Sequence, residues 1–94
     1  MNFEDFKESL KKDKVPSKLT AELEALWYDG KGKWDTAHDL AQQVPAPNGA
    51  WIHAYLHRAE GDDSNAGYWY RRAGKNMPSI SISDEWEQLV KEFL

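Results

Sequence analysis

A six-residue pattern occurs twice in this 94-residue chain, and its spacing limits the folds that the chain can adopt. Gly32–Ala37 (GKWDTA) is followed 29 residues later by Gly61–Ala66 (GDDSNA). Small residues recur at the same offset before the two turns, at Ala25 and Ala54. A repeat of this length is typical of stacked helical hairpins, which bury their apolar faces only against neighbouring hairpins. The pattern therefore predicts an all-α fold.

Composition and charge argue against several classes of protein. The net charge of −4 disfavours a broad phosphate-binding surface, so we expect no nucleic-acid partner. The absence of cysteine excludes a disulfide framework, a cysteine-based zinc site and a cysteine nucleophile. No long apolar run is present and the acidic segment Met1–Phe6 does not resemble a signal peptide. We therefore expect a cytoplasmic protein without a membrane partner.

Periodic apolar residues and turn-forming residues predict one domain, residues 1–94, made of five to six helices. Ser17 is expected to cap the second helix, Asp63 or Ser64 the fifth, and Ile80–Ser83 to form an extended link before the last helix. The break at Pro45–Gly49 separates two hairpins, residues 17–44 and 50–78, and the terminal helices cap this stack. The predicted helices span residues 2–13, 17–29, 33–44, 50–60, 65–76 and 84–93.

Each hairpin resembles a tetratricopeptide-type repeat in the order of its small residues, aromatic or histidine residues and glycine. The matching positions are Ala25, Tyr28, Gly32 and Ala37 in the first unit, and Ala54, His57, Gly61, Ala66, Tyr70, Ala73 and Pro78 in the second. The resemblance implies stacked antiparallel hairpins that bind a peptide along a groove lined by their first helices. The spacing is shorter than the usual repeat of about 34 residues, and two units need the terminal helices to complete the core.

Longer segments of the sequence show a second resemblance. Trp51–Asp62 (WIHAYLHRAEGD) and Asn65–Gly74 (NAGYWYRRAG), with Trp34–Asp39 (WDTAHD), resemble a family of short uncharacterised proteins with the motifs W-HAYLHR-EGD and NA-YWYRRAG. This resemblance implies a self-contained single domain. It implies no activity, and no catalytic residue or cofactor is predicted from it.

The pair His53 and His57 lies four residues apart, so both imidazoles project from one helical face. A third ligand must come from elsewhere, and the candidates are His38, Asp39, Glu60 and Asp63. A metal-dependent protein or enzyme built on His38, His53 and His57 is therefore one hypothesis. Ala54 stands where a zinc-protease helix has its catalytic glutamate, which weakens the protease interpretation. The alternative is a packing role, with neutral imidazoles that are partly buried and hydrogen-bonded to a hydroxyl or carboxylate, that of Tyr70, Tyr68 or Glu60.

Guanidinium, imidazole and aromatic groups are concentrated on the fourth and fifth helices, and this concentration predicts a binding or adaptor module. Its ligand would be an acidic peptide or a small anion, recognised by arginine and histidine donors among aromatic rings. Arginines on separate faces would argue against this function. A purely structural role, as a monomer or a homodimer, is the remaining alternative. The predicted ligand-binding residues are Trp51, His53, His57, Arg58, Tyr68, Arg71 and Arg72.

Overall fold

Capping residues and glycine turns divide the chain into six α-helices, and the predicted all-α fold is confirmed. The computed structural model describes residues 1–94 and contains no β-strand. None of the six helices combines the length and the apolar character that a span of the bilayer requires. The helices are α1 (Phe3–Ser9), α2 (Ala21–Gly30), α3 (Trp34–Gln42), α4 (Asn48–Ala59), α5 (Asp63–Arg72) and α6 (Ile82–Phe93).

The two glycine turns have the same backbone conformation. Gly32 has a φ of 79° and Gly61 a φ of 88°, a left-handed conformation that glycine adopts without steric cost. In both turns an N–H group returns to a carbonyl five residues earlier, from Lys33 to Tyr28 and from Asp62 to His57, each at 2.9 Å. This bond satisfies a carbonyl at the end of the first helix of each pair. The turns therefore join α2 to α3 and α4 to α5 as two helical hairpins.

Helix α4 forms the centre of the molecule. Nine of its 12 residues are buried, and it packs against α2, α3, α5 and α6. Alanines allow this close approach, since Ala25, Ala37, Ala54 and Ala66 are all fully buried. Helix α4 is therefore the element on which the other helices of the two hairpins and α6 converge.

The terminal helices close the apolar face that two hairpins leave open. Helix α6 contacts both α2 and α4, and α1 packs against α6. The indole N–H of Trp86 donates to the carbonyl of Leu26 at 3.0 Å. The same indole packs against the rings of Phe3 and Phe6, with ring centroids 5.9 Å apart in each pair. One apolar core therefore includes residues from all six helices.

The start of α2 differs from the prediction, because Ser17 does not cap it. Lys18 adopts a left-handed φ of 67°, so a right-handed helix cannot run through residue 18. Helix α2 instead begins at Ala21, and the hydroxyl of Thr20 accepts a hydrogen bond from the N–H of Leu23. The hairpin is therefore shorter at its start than predicted.

Further helix ends were also misplaced. Asp62 rather than Asp63 or Ser64 caps α5, because its carboxylate accepts from the N–H of Asn65. Ser81 caps α6, so the second half of the predicted extended link, Ile82–Ser83, is helical. Helix α5 ends at Arg72 instead of 76, since Gly74 has a φ of 72°. Helix α1 ends at Ser9 instead of 13, α3 ends at Gln42 instead of 44, and α4 already begins at Asn48, inside the predicted break.

Candidate functional site

The three histidines of the chain converge on one side of α4. His53 and His57 lie one turn apart on α4, and their rings stack with centroids 4.9 Å apart. His38 on α3 approaches them, and its Nε2 atom lies 2.8 Å from Nε2 of His53. One nitrogen from each ring can be chosen so that all three lie within 4.8 Å of one another. His53 and His57 are buried and His38 is half-buried.

Two tryptophans hold these imidazoles in place. Trp34, one turn before His38 on α3, stacks on the His38 ring with a centroid distance of 4.8 Å. Its indole N–H donates to the carbonyl of Leu56 at 2.7 Å, which fixes the indole against α4. Trp69 on α5 stacks on His53 at 3.9 Å with an interplanar angle of 11°. Rings held between such walls lose little further freedom when they bind a ligand.

A carboxylate selects the tautomer of His57. Nδ1 of His57 lies 2.7 Å from Oε2 of Glu60, which is the C-terminal cap residue of α4. Because a carboxylate only accepts hydrogen bonds, the proton of a neutral imidazole is placed on Nδ1. Nε2 of His57 then keeps its lone pair. This pair of residues has the form of the carboxylate–histidine contact that orients metal ligands.

The surroundings of His53 disfavour its doubly protonated, positively charged form. Burial, and then the nearby imidazoles of His38 and His57, lower the pKa of His53 to about 4. His53 is therefore a neutral imidazole at pH 7, which is the form that binds a metal. Its Nε2 atom shares a hydrogen bond with Nε2 of His38.

The arrangement brings together the donors of a three-histidine metal centre, and one nitrogen pair has nearly the spacing that such a centre needs. Zinc–nitrogen bonds measure about 2.0–2.1 Å, so two nitrogens on one tetrahedral zinc ion lie about 3.3 Å apart. The 2.8 Å separation of the His38 and His53 nitrogens would need to grow by about 0.5 Å, and a pair at the full 4.8 Å would need to close by about 1.5 Å. His38, His53 and His57 are thus the residues that could hold a metal, with Glu60 orienting one of them.

The structure does not bring the predicted arginine surface together. Arg58 turns toward α6, where its Nη1 donates to Glu85 at 2.8 Å, and its second terminal nitrogen donates to the carbonyl of Ile80. The Trp51 indole donates to the same Glu85 carboxylate at 3.2 Å. Trp51 and Arg58 therefore belong to a buried cluster that contains none of the histidines.

The remaining two arginines also diverge. The Arg72 guanidinium lies over the Trp69 ring, 5.3 Å from its centroid, and donates to the hydroxyl of Tyr68. Arg71 is exposed, and a Cβ atom at Gly67 would lie 3.6 Å from its Nη1. Of the seven predicted residues, His53, His57, Tyr68 and Arg72 lie near Trp69 or the histidine cluster, whereas the other three do not.

A groove adjoins the histidine cluster at the start of α4. It has a volume of about 370 Å³ and is open to solvent. Apolar groups form most of its surface, together with His53, one amide and one guanidinium. The lining residues are Ala41, Gln42, Val44, Ala46, Gly49, Ala50, His53, Trp69 and Arg72.

Sequence reasoning did not find the stacking roles of Trp34 and Trp69 or the burial of Glu85. The spacing of Trp34 and His38, four residues apart on one helix, was a usable signal for their contact. Glu85 had no such signal, because its partners Arg58 and Tyr70 are 27 and 15 residues away along the chain. The amphipathic pattern of α6 shows only that one face is buried.

Comparison of the chain with protein-family models, with curated proteins and with solved structures yields no match. The resemblances to tetratricopeptide-type repeats and to the family with the W-HAYLHR-EGD motif therefore stay predictions.

Proposed function

We propose that this chain is a metal-binding protein and that His38, His53 and His57 ligate one divalent ion of the zinc class. The observation that supports the proposal is the convergence of the three imidazoles, with ligand nitrogens within 4.8 Å of one another. Imidazole ligands suit zinc, copper, nickel and iron rather than magnesium or calcium. This function corresponds to the metal-dependent alternative of the sequence analysis.

The protonation pattern favours metal binding over packing alone. A core that needs only to be filled is served by apolar side chains, whereas buried imidazoles must be desolvated and kept neutral. Here the pKa of His53 is lowered to about 4, and Glu60 directs the lone pair of His57 away from Nδ1. Nε2 of His57 makes no hydrogen bond within the protein, so a metal ion can take its lone pair.

The positions of the arginines favour this function over recognition of an acidic partner by a three-arginine surface. Arg58 is neutralised by Glu85 at 2.8 Å, and Arg71 is exposed and does not line the groove. A single guanidinium, that of Arg72, remains beside the histidines. Three protein ligands leave one tetrahedral position for water or an exchangeable ligand, as in catalytic zinc sites. The proposal itself is limited to metal binding.

Titration of the protein with Co(II) tests the proposal, because Co(II) in a tetrahedral site gives intense visible absorption bands. We expect one ion per chain, and His38→Gln should weaken binding by roughly 100-fold or more, since it removes one of three ligands. His38 is only half-buried, so His38→Gln should still fold, and circular dichroism of the metal-free variant checks this. Absence of visible bands, or equal affinity in wild type and H38Q, would refute the site.

A further inference from the structure

The groove beside the histidines carries a single charge and that charge is positive. Arg72 is the only charged residue among the nine that line it, and no acidic side chain borders it. The first turn of α4 borders the groove through Gly49 and Ala50. The N–H of Gly49 donates to the carbonyl of Pro45 at 3.0 Å, and no side chain caps this helix. The N-terminal end of a helix carries a partial positive charge. The groove therefore favours an anion whose body is apolar.

His53 contributes a hydrogen-bonding atom to this groove. Its Nε2 atom faces His38, whereas its Nδ1 atom has no partner within the protein. No fully buried side-chain nitrogen is left unpaired in the structure, so Nδ1 must be reachable by solvent. His53 is only 5% exposed, and it borders the groove. The groove is therefore the place where Nδ1 can find a partner.

Metal ligation would make Nδ1 of His53 a hydrogen-bond donor. An imidazole that binds a metal through Nε2 carries its proton on Nδ1, and metal-ligating histidines almost always donate that proton to a carboxylate or carbonyl. His57 already has such a partner in Glu60, at 2.7 Å. The protein supplies none for His53.

We propose that the groove binds a carboxylate, which accepts a hydrogen bond from Nδ1 of His53 and pairs with the guanidinium of Arg72. This inference rests on the proposed metal site and names the ligand class that acts beside it. The carboxylate would accept a hydrogen bond from His53 as Glu60 does from His57. The apolar part of the ligand would pack against Trp69 and the alanines that line the groove. The carboxylate belongs either to a small organic acid or to the C-terminus of a peptide.

Because the two ligands are coupled through His53, each must raise the affinity for the other by the same factor. We expect benzoate to raise the Co(II) affinity on the order of tenfold, the effect typical of an outer-shell partner of a metal ligand. The visible bands should keep their positions, since the carboxylate contacts a ligand and does not replace one. Benzamide, which has the same ring without the charge, should have no effect. A short peptide ending in phenylalanine, with a free or an amidated C-terminus, distinguishes a peptide source from a free acid.

The chain offers a matched pair of variants for this experiment. Arg72→Gln should abolish the effect of the carboxylate, whereas Arg71→Gln removes the same charge from the same helix outside the groove and should retain it. Arg71→Gln should bind Co(II) alone as wild type does, and for Arg72→Gln the carboxylate effect is taken relative to the Co(II) affinity of that variant without carboxylate. A Co(II) affinity that no carboxylate raises, or a carboxylate effect that Arg71→Gln abolishes as completely as Arg72→Gln does, would overturn the inference and leave the metal site standing. Absence of Co(II) binding would overturn both.

Discussion

Oε2 of Glu60 lies 2.7 Å from Nδ1 of His57, three residues earlier at the C-terminal end of α4. The contact uses the nitrogen that a metal would not need, and it leaves the other nitrogen for ligation. Such a carboxylate raises the basicity of the imidazole and fixes its orientation. Glu60 is thus a positioning residue for the proposed metal centre.

Replacement of Glu60 by glutamine should lower the metal affinity by roughly tenfold to 100-fold and leave the fold intact. The amide oxygen still accepts a hydrogen bond. Because the amide is neutral, it stabilises the metal-bound imidazole less than the carboxylate does. Competition for Co(II) with a chelator of known affinity measures the change. Asp39→Asn is the control, because it removes an exposed carboxylate beside His38 that makes no hydrogen bond or ion pair. Equal losses in the two variants would indicate a general charge effect and not a contact with His57.

The metal-free protein should lose stability when the pH falls from 6.5 to 4. The folded protein lowers the pKa of His53 from 6.5 to about 4, through burial and then through His38 and His57. Between these values the unfolded chain binds a proton that the folded protein does not, so the free energy of unfolding decreases as the pH decreases. This residue should account for roughly 2 kcal/mol of that loss.

Urea denaturation at a series of pH values measures this dependence. In His53→Gln the part of the slope that belongs to His53 should disappear, whatever the stability of the variant at pH 7. Zinc or cobalt should steepen the dependence in the wild type, since protons and metal compete for the same imidazoles. If the free energy of unfolding of His53→Gln depends on pH as steeply as that of the wild type, the pKa of His53 is not lowered by the fold.

Glu85 joins α6 to the hairpins, and its removal should be costly. The carboxylate is 1% exposed and accepts hydrogen bonds from Arg58 at 2.8 Å and from the Tyr70 hydroxyl at 2.7 Å. Burial and this carboxylate raise the pKa of Tyr70, so its hydroxyl remains a donor. Glu85→Gln should destabilise the protein by about 3 kcal/mol, because it leaves the Arg58 charge without a counter-ion.

Glu87 on the same helix provides the comparison for Glu85. It pairs with Lys91 at 2.7 Å, but the two side chains are 43% and 56% exposed. Glu87→Gln should therefore change the free energy of unfolding by less than about 0.5 kcal/mol. Similar effects of the two substitutions in chemical denaturation would mean that the buried Glu85 cluster contributes little to the docking of α6.

The features predicted correctly from sequence depend on contacts within a hairpin. Gly32 and Gly61 mark the turns because only glycine adopts their φ cheaply, and the alanines follow from the close approach of paired helices. The proximity of His53 and His57 follows from helical periodicity alone. These local rules do not depend on how the hairpins pack against each other.

The features that were missed or left open depend on contacts between distant segments. His38 was named only as a candidate partner of His53 and His57, because its position is set by the packing of α3 on α4, for which the sequence has no periodic signal. Arg58 was assigned to the histidine surface because it lies on the same helix as His53 and His57. The next residue of a helix after His57 points about 100° away, however, and here it meets α6. The start of α2 was misplaced because the left-handed conformation at Lys18 has no signature in a non-glycine residue.

Gly49 tests how tightly the groove and α4 are built. A Cβ atom there would lie 1.9 Å from the carbonyl oxygen of Val44 and 3.1 Å from that of Ala41, and neither backbone atom can move freely. Gly49→Ala should therefore cost roughly 3 kcal/mol or more.

At Gly67, within α5, a Cβ atom would meet only the flexible end of Arg71 at 3.6 Å. Gly67→Ala should stabilise the protein by about 1 kcal/mol, because alanine is the better helix former. Thermal and urea denaturation of both variants should thus give shifts of opposite sign, and a stable Gly49→Ala variant would contradict the close contact of α4 with the end of α3.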